Sequence, residues 1–89
     1  MPEIYRDEMQ REFLNLKQQT VTVAEYEVRF TQLSHYAPMM VATKKDRCRR
    51  FEEGLNYEIR KQLTLSDLRS YHDLRAAAIR AERLIKEGE

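Results

Sequence analysis

Thr22-Val23-Ala24-Glu25-Tyr26-Glu27-Val28-Arg29-Phe30-Thr31-Gln32-Leu33 is the stretch whose reading decides the fold. Thr22 can accept a hydrogen bond from the free backbone N–H groups at a helix start. Glu25, three residues on, can reach back to it, which makes a capping box. Val23, Tyr26, Phe30, Leu33 and Ala37 then recur at steps of three or four. That spacing lays apolar side chains along one face of a helix. Pro38 closes the pattern, because the residue before a proline is pushed out of the α region. The stretch therefore predicts a helix over 23–37, buried along one side.

Upstream, Tyr5, Met9, Phe13 and Leu16 recur at helical steps and predict a first helix over 3–17. Downstream, Thr43 and Asp46 open a third helix over 44–53, with Cys48, Phe51 and Leu55 on its buried side. Gly54 is expected to close it in the left-handed conformation. Asn56 caps a short fourth helix over 56–63, in which Leu55, Ile59 and Leu63 step by four. A connection over 64–69 follows. Ser70 and Asp73 open the last helix, over 70–87. Its inner face is read as Leu74, Ala77, Ala78, Ala81, Leu84 and Ile85, the small alanines letting a neighbouring helix come close. With two glycines, two prolines and no alternating apolar pattern, the chain reads as all-α. Links this short predict a compact five-helix bundle, one domain over 1–89. Its expected core is Val23, Tyr26, Phe30, Leu33, Phe51, Leu55, Ile59, Leu63 and Leu74.

Composition bounds the function. At 42% apolar and 35% charged residues, the chain can build a core, which argues against disorder. A domain of 89 residues buries only about 60–65% of its unfolded surface, so contact with a second copy would add to a modest stability. Lysine and arginine number 16 against 15 acidic residues, a formal charge of +1. A chain that works mainly by holding nucleic acid carries a strong basic excess. The lone Cys48 permits no internal disulfide, which fits a reducing, cytoplasmic setting. The longest apolar runs, 39–42 and 76–79, fall far short of the roughly 20 residues needed to span a bilayer, so no membrane partner is expected. The opening Met1-Pro2-Glu3-Ile4-Tyr5-Arg6-Asp7-Glu8 alternates in charge and does not read as a signal peptide.

The chemistry-bearing residues are few. His35 and His72 are the only histidines, and one cysteine cannot complete a zinc set. Cys48 falls on an apolar stripe, where an inert buried thiol is a better reading than a nucleophile. Glu52 and Glu53 are helix neighbours and do not face each other. No glycine-rich phosphate loop exists. Neither a catalytic, cofactor nor metal site is expected, and the chain reads as a non-enzyme. Two weaker features remain. Lys44, Lys45, Arg49 and Arg50 form a locally basic stretch able to touch RNA phosphates. They lack interleaved aromatics, and their spacing spreads them around the helix. Met39, Met40 and Val41, with Arg47 beyond them, form a candidate self-association patch, because methionines adapt to a partner surface. Leu14, Val28, Tyr57 and Ile79 are further apolar residues that do not fit their helices' inner faces.

Three stretches carry a family likeness. The run from Phe13-Leu14-Asn15-Leu16-Lys17-Gln18 through Val23-Ala24-Glu25-Tyr26-Glu27-Val28-Arg29-Phe30-Thr31-Gln32-Leu33 resembles the "F-L-x-L-x-Q…V-x-E-Y-x-x-R-F-x-x-L" signature of gypsy-type LTR retrotransposon Gag proteins. Arg50-Phe51-Glu52-Glu53-Gly54-Leu55-Asn56-Tyr57-Glu58-Ile59-Arg60 is similar to that family's "F-x-x-G-L-x-x-x-I-R". The stretch from Tyr71 to Leu84 resembles its closing "y-x-x-L-x-x-x-A-x-x-x-E", with Glu82 as the acid. Together they cover nearly the whole chain. The core Val23, Tyr26, Arg29, Phe30 and Leu33 is also similar to the major homology region of retroviral capsids. That pattern carries Gln-Gly before the helix, where this chain has Gln18-Gln19. Of the pattern's buried Gln–Glu–Arg network only Arg29 is carried over, as a buried or half-buried organiser of the turn before the helix.

The resemblance implies a capsid C-terminal domain, a structural protein of the Gag shell that forms around element RNA. Its partners would be itself, as a homodimer that can exchange helices as SCAN domains do, and neighbouring Gag copies. Element RNA would be met through regions absent here, and the site of action would be a virus-like particle in the cytoplasm. The Gag-type Cys/His knuckle and the first capsid lobe are missing, which implies a fragment or a reduced, host-adopted copy. Dimer contacts in the retroviral relatives fall before the third helix, at Met39–Val41 here. One alternative is a domesticated Gag-derived adaptor that binds a partner peptide or helix. Another is an RNA-binding module.

The reading of the second helix has a direct test. Phe30→Ala should lower the unfolding free energy by about 3–5 kcal/mol, the usual cost of emptying a large core position. Denaturant melts of the variant and the parent measure it, and an unchanged midpoint removes Phe30 from the core.

Overall fold

The Thr22 Oγ1 accepts the Glu25 backbone N–H at 3.2 Å and donates to Glu25 Oε1 at 3.3 Å, so the capping box forms and a helix begins at Val23. Thr43 accepts from the Asp46 N–H at 3.0 Å and Ser70 from the Asp73 N–H at 3.1 Å. All three helix starts read from hydroxyl residues are therefore real N-caps. The structure, a computed structural model, describes residues 2–63 and 70–89. Its helices are α1 (Glu3–Leu14), α2 (Val23–Ser34), α3 (Lys44–Gly54), α4 (Tyr57–Leu63) and α5 (Tyr71–Glu87), with a 3₁₀ turn at Pro38–Val41. The fold is an all-α five-helix bundle. The connection expected over 64–69 lies outside the described residues. Among the described residues, no helix is long and apolar enough to cross a membrane.

Two helices end earlier than their apolar periodicity suggests. The first stops at Leu14 rather than residue 17. The Asn15 side chain turns back to donate to the Arg11 carbonyl at 3.0 Å, a local bond that competes with helix propagation. Leu16 then packs onto the core from outside the helix. The second helix stops at Ser34 rather than residue 37. Tyr36 and Ala37 bond three residues back, to Leu33 and Ser34, at 3.0 and 3.1 Å, which tightens the chain. Ala37 leaves the α region (φ −138°, ψ 55°) as Pro38 requires, and Pro38 then opens the 3₁₀ turn. Gln10 on α1 ties this end down by donating to the Tyr36 carbonyl at 2.7 Å.

All nine expected core residues are buried, joined by Phe13, Ala37, Ala77, Ala78 and Ala81. The centre is aromatic. Phe51 lies 5.2 Å from Tyr26, 5.4 Å from Phe30 and 5.2 Å from Tyr71, ring centre to ring centre, and Phe13 lies 5.2 Å from Phe30. Separations and tilts of this kind add edge-to-face attraction to the burial term. The cluster draws one or two rings from each of α1, α2, α3 and α5. On its edge, Glu27 of α2 accepts from Thr31 at 2.7 Å and from the Tyr71 hydroxyl at 3.2 Å, and pairs with Arg75 at 3.5 Å. Burial, then the Glu27 charge, pushes the Tyr71 phenol from an ordinary 10.0 up to about 12. The proton is held more tightly in the folded state, so this contribution is full below pH 10 and fades as pH climbs toward 12. Two expected inner residues face outward instead. Tyr5 is exposed near the start of α1, and Leu84 is 61% exposed because the inner ridge of α5 runs through Ala77, Ala78, Ala81 and Ile85.

The end of α3 joins the bundle together. A helix leaves its last four carbonyls without internal partners. Here each finds one elsewhere. The Phe51 oxygen accepts from the Tyr26 hydroxyl at 2.9 Å, Glu52 from the Leu55 N–H at 3.1 Å, Glu53 from Arg60 Nη1 at 3.2 Å and Gly54 from the Gln18 N–H at 2.8 Å. Gly54 is not left-handed as its position suggested; no glycine in the described chain has positive φ. Its requirement is steric: a Cβ there would sit 1.9 Å from the Tyr26 hydroxyl and 3.0 Å from the Leu16 carbonyl. The missing side chain is what lets the Tyr26 phenol reach Phe51.

Gly54→Ala should therefore destabilise the domain by about 3 kcal/mol or more, a severe case of overpacking. Tyr26→Phe in the same chain removes the nearest clashing atom and should recover part of that loss. Thermal melts of the single and double variants measure it. Equal losses in both would show that the glycine is not needed for Tyr26.

Candidate functional site

Between α1 and α2 the chain makes one tight turn, and Gln18 stands at its centre. Gln18 is 3% exposed, which is unusual for an amide side chain. Burial of such a group is tolerated only when its polar atoms are bonded. Its backbone N–H donates to the Gly54 carbonyl at 2.8 Å, and its carbonyl accepts from the Val21 N–H at 3.3 Å. The side-chain nitrogen donates to the Val21 carbonyl at 3.0 Å and toward Glu82 Oε2 at 3.5 Å. The side-chain oxygen accepts from the Asn56 N–H at 3.1 Å. One residue thus links the α1–α2 turn, the end of α3, the start of α4 and α5.

Glu82 completes the arrangement from the far end of the chain. Its Oε2 accepts from the Val23 N–H at 2.8 Å. Val23 is the first residue of α2, so a carboxylate borrowed from α5 sits at the positive end of the α2 dipole. Gln19 pays for the tightness of the turn: its φ is +54°, the only positive value in a described non-glycine residue. Its carbonyl is held by the Asn56 side chain at 2.7 Å. Asn56 itself lies just outside α4, which begins at Tyr57.

A groove of about 580 Å³ opens beside this turn. The 18–21 turn, the start of α4 and the last turns of α5 line it. Val21, Ile59 and Ile85 give it apolar walls. Glu58, Glu82 and Glu89 face it against a single Lys86.

The residues singled out from the sequence are distributed as follows. Val23, Tyr26, Phe30 and Leu33 are all buried. Arg29 is corrected: it is exposed and pairs with Glu12 on α1, with no bond to the α1–α2 turn among the described residues. The organising work there falls to Gln18 and Glu82. Met39 is 89% exposed, while Met40 and Val41 pack partly onto the core. Arg47 lies over the Tyr71 ring at 4.6 Å and near the Phe30 ring at 5.7 Å, a cation–π lid on the aromatic cluster. Arg49 is engaged by Asp46 at 3.4 Å and Glu53 at 4.0 Å. Arg50 is partly buried near Phe13 and Tyr26, with its Nε in the interior. Lys44 and Lys45 are exposed and stand beside the 3₁₀ turn. The four basic residues accordingly do not share one face. His35 and His72 are exposed and apart from each other in sequence and element. Cys48 is half-buried, and burial pushes its thiol pKa up, away from thiolate chemistry. Among the described residues no group of three or more His, Cys, Asp or Glu side chains is placed to share a metal ion. Compared with protein families, curated proteins and solved structures, the chain matches none.

The Gln18–Glu82 pair generates a coupling measurement. Gln18→Ala should cost roughly 2–3 kcal/mol, because it strands the Asn56 N–H and removes both side-chain donors. With Glu82→Ala in a double-mutant cycle, the two losses should fall short of additivity by about 0.5–3 kcal/mol. Strict additivity would mean the two groups do not act together. Gln19→Gly, which relieves the positive φ, should raise stability by up to about 1 kcal/mol.

Proposed function

We propose that this chain is a non-catalytic association domain of the retrotransposon Gag capsid type, a structural protein that binds copies of itself. One observation carries the reading: the three sequence stretches that resemble the Gag family meet at Gln18. Gln18 belongs to the first stretch, Gly54 and Asn56 to the second, and Glu82 to the third. Residues that look like a family signature in the sequence thereby acquire one shared physical task. The retroviral version of the pattern carries Gln-Gly before the helix. Here the glutamine is buried and the following residue holds the left-handed conformation that glycine adopts without cost.

Support for self-association comes from the surface. Ile4, Leu14, Val28, Met39, Tyr57 and Leu84 are between 49% and 89% exposed in a chain of 89 residues. Single exposed apolar residues are ordinary, but six large ones on so small a domain favour coverage by another molecule. On this reading the domain helps assemble a virus-like particle in the cytoplasm, with element RNA held by other regions. The groove beside Gln18 favours a second reading, a Gag-derived adaptor that takes a partner peptide. An RNA-binding role draws less support, since of Lys44, Lys45, Arg49 and Arg50 only the two lysines stand clear of a carboxylate or the core.

Sedimentation across concentration separates the two leading readings. The capsid reading expects the mass to rise above 10.7 kDa as concentration increases. A strict monomer at high concentration would hand the domain to the adaptor reading.

A further inference from the structure

Two unlike surface features lie at opposite ends of α3. At its start stands the 3₁₀ turn, where Met39, 89% exposed, is the most exposed large apolar side chain among the described residues. Lys44 and Lys45 follow in the first turn of α3, exposed, and neither pairs with a carboxylate among the described residues. Asp46, the nearest acid in sequence, is taken by Arg49. This end is apolar and basic. At the other end of α3, Gly54 bonds to Gln18, and the groove opens beside that bond. Its walls are Val21, Ile59 and Ile85, and its charges are three carboxylates against one ammonium. This end is apolar and acidic. A helix of 11 residues separates the two, roughly 16 Å at 1.5 Å per residue.

We propose that the groove of one copy receives the Met39 turn of the next, with Lys44 and Lys45 set against Glu58 and Glu89. The proposal rests on the self-association reading and names its contact. Met39 is unbranched and adapts to an apolar slot, and the groove volume lies in the range of sites that enclose such groups. Opposite charge beside an apolar anchor supplies both register and partner choice. The two surfaces differ and sit at opposite ends, so the contact is head-to-tail. Each added copy leaves one Met39 turn and one groove free, and the assembly extends into a ring or filament instead of stopping at two.

The test uses two charge-reversed chains. One carries Lys44→Glu and Lys45→Glu, the other Glu58→Lys and Glu89→Lys. All four positions are exposed, and unchanged melting temperatures establish that both variants fold. The parent should grow in mass with concentration past the dimer, and added salt should weaken this growth. Each variant alone should associate at least about tenfold more weakly. An equimolar mixture should regain growth, because native turn then meets native groove and reversed turn meets reversed groove. A parent that levels off at the dimer overturns head-to-tail growth. Variants that associate as well as the parent, or a mixture that stays monomeric, overturn this contact while self-association stands. A parent that is monomeric at every concentration removes both the contact and the reading beneath it.

Discussion

The buried amide of Gln18 is the constraint on which the arrangement of helices depends. An amide out of water is costly unless every donor and acceptor is met. Meeting them here takes the end of α3, the start of α4, a carboxylate from α5 and the turn's own backbone. No one of these elements can shift without leaving a polar group unpaired in the interior. The apolar core provides most of the driving force for folding, but apolar contact is non-directional and tolerates sliding. The hydrogen bonds at Gln18 remove that freedom. They set where α4 leaves α3 and which turn of α5 faces the start of α2.

The aromatic cluster and the Gln18 turn are coupled through a single glycine. Gly54 gives its carbonyl to Gln18 and its empty Cβ position to Tyr26. Tyr26 in turn closes the Phe51 carbonyl and packs at a 40° tilt against the Phe51 ring. Because its hydroxyl is both buried and donating, burial pushes the phenol pKa well above its ordinary value. It stays a neutral donor across any physiological pH. The stretch Arg50–Arg60 therefore joins two kinds of order: a ring in the core at Phe51 and a polar junction at Gly54 and Asn56.

Much of the fold was legible because its signals are local. Three hydroxyl caps, at Thr22, Thr43 and Ser70, each bond within three residues, so sequence spacing suffices to find them. The core residues of α2 and α3 follow helical periodicity for the same reason. What escaped was decided across distance. The ends of α1 and α2 depend on where Leu16 and Ala37 must pack, which periodicity alone extends too far. A glycine at a helix end most often closes it in the left-handed conformation, whereas the task of Gly54 depends on a ring 28 positions earlier in the chain, at Tyr26. Arg29 was assigned inward by likeness to a pattern, but Glu12 on α1 holds it outside. The signals for the Gln18 site were the family glutamine at Gln18 and the family acid at Glu82, and the two lie 64 residues apart. Spacing could not have joined them.

The same distinction applies to charge. A formal +1 suggests a surface with no electrostatic preference, and as a sum over the chain that is correct. Charge acts through its placement, however, and a sum discards placement. Folding puts Lys44 and Lys45 at one end of α3 and Glu58 and Glu89 beside the other, while Arg47, Arg49 and Arg50 are consumed by rings, carboxylates and the interior. The result is a nearly neutral domain with two unlike ends. On the head-to-tail reading, such a molecule is repelled when like ends meet and attracted when unlike ends meet. Orientation in any contact between copies is then selected before apolar surfaces touch. In that respect near-neutrality is informative: a strongly charged chain would repel its own copies in every orientation, whereas a balanced and segregated one discriminates among them.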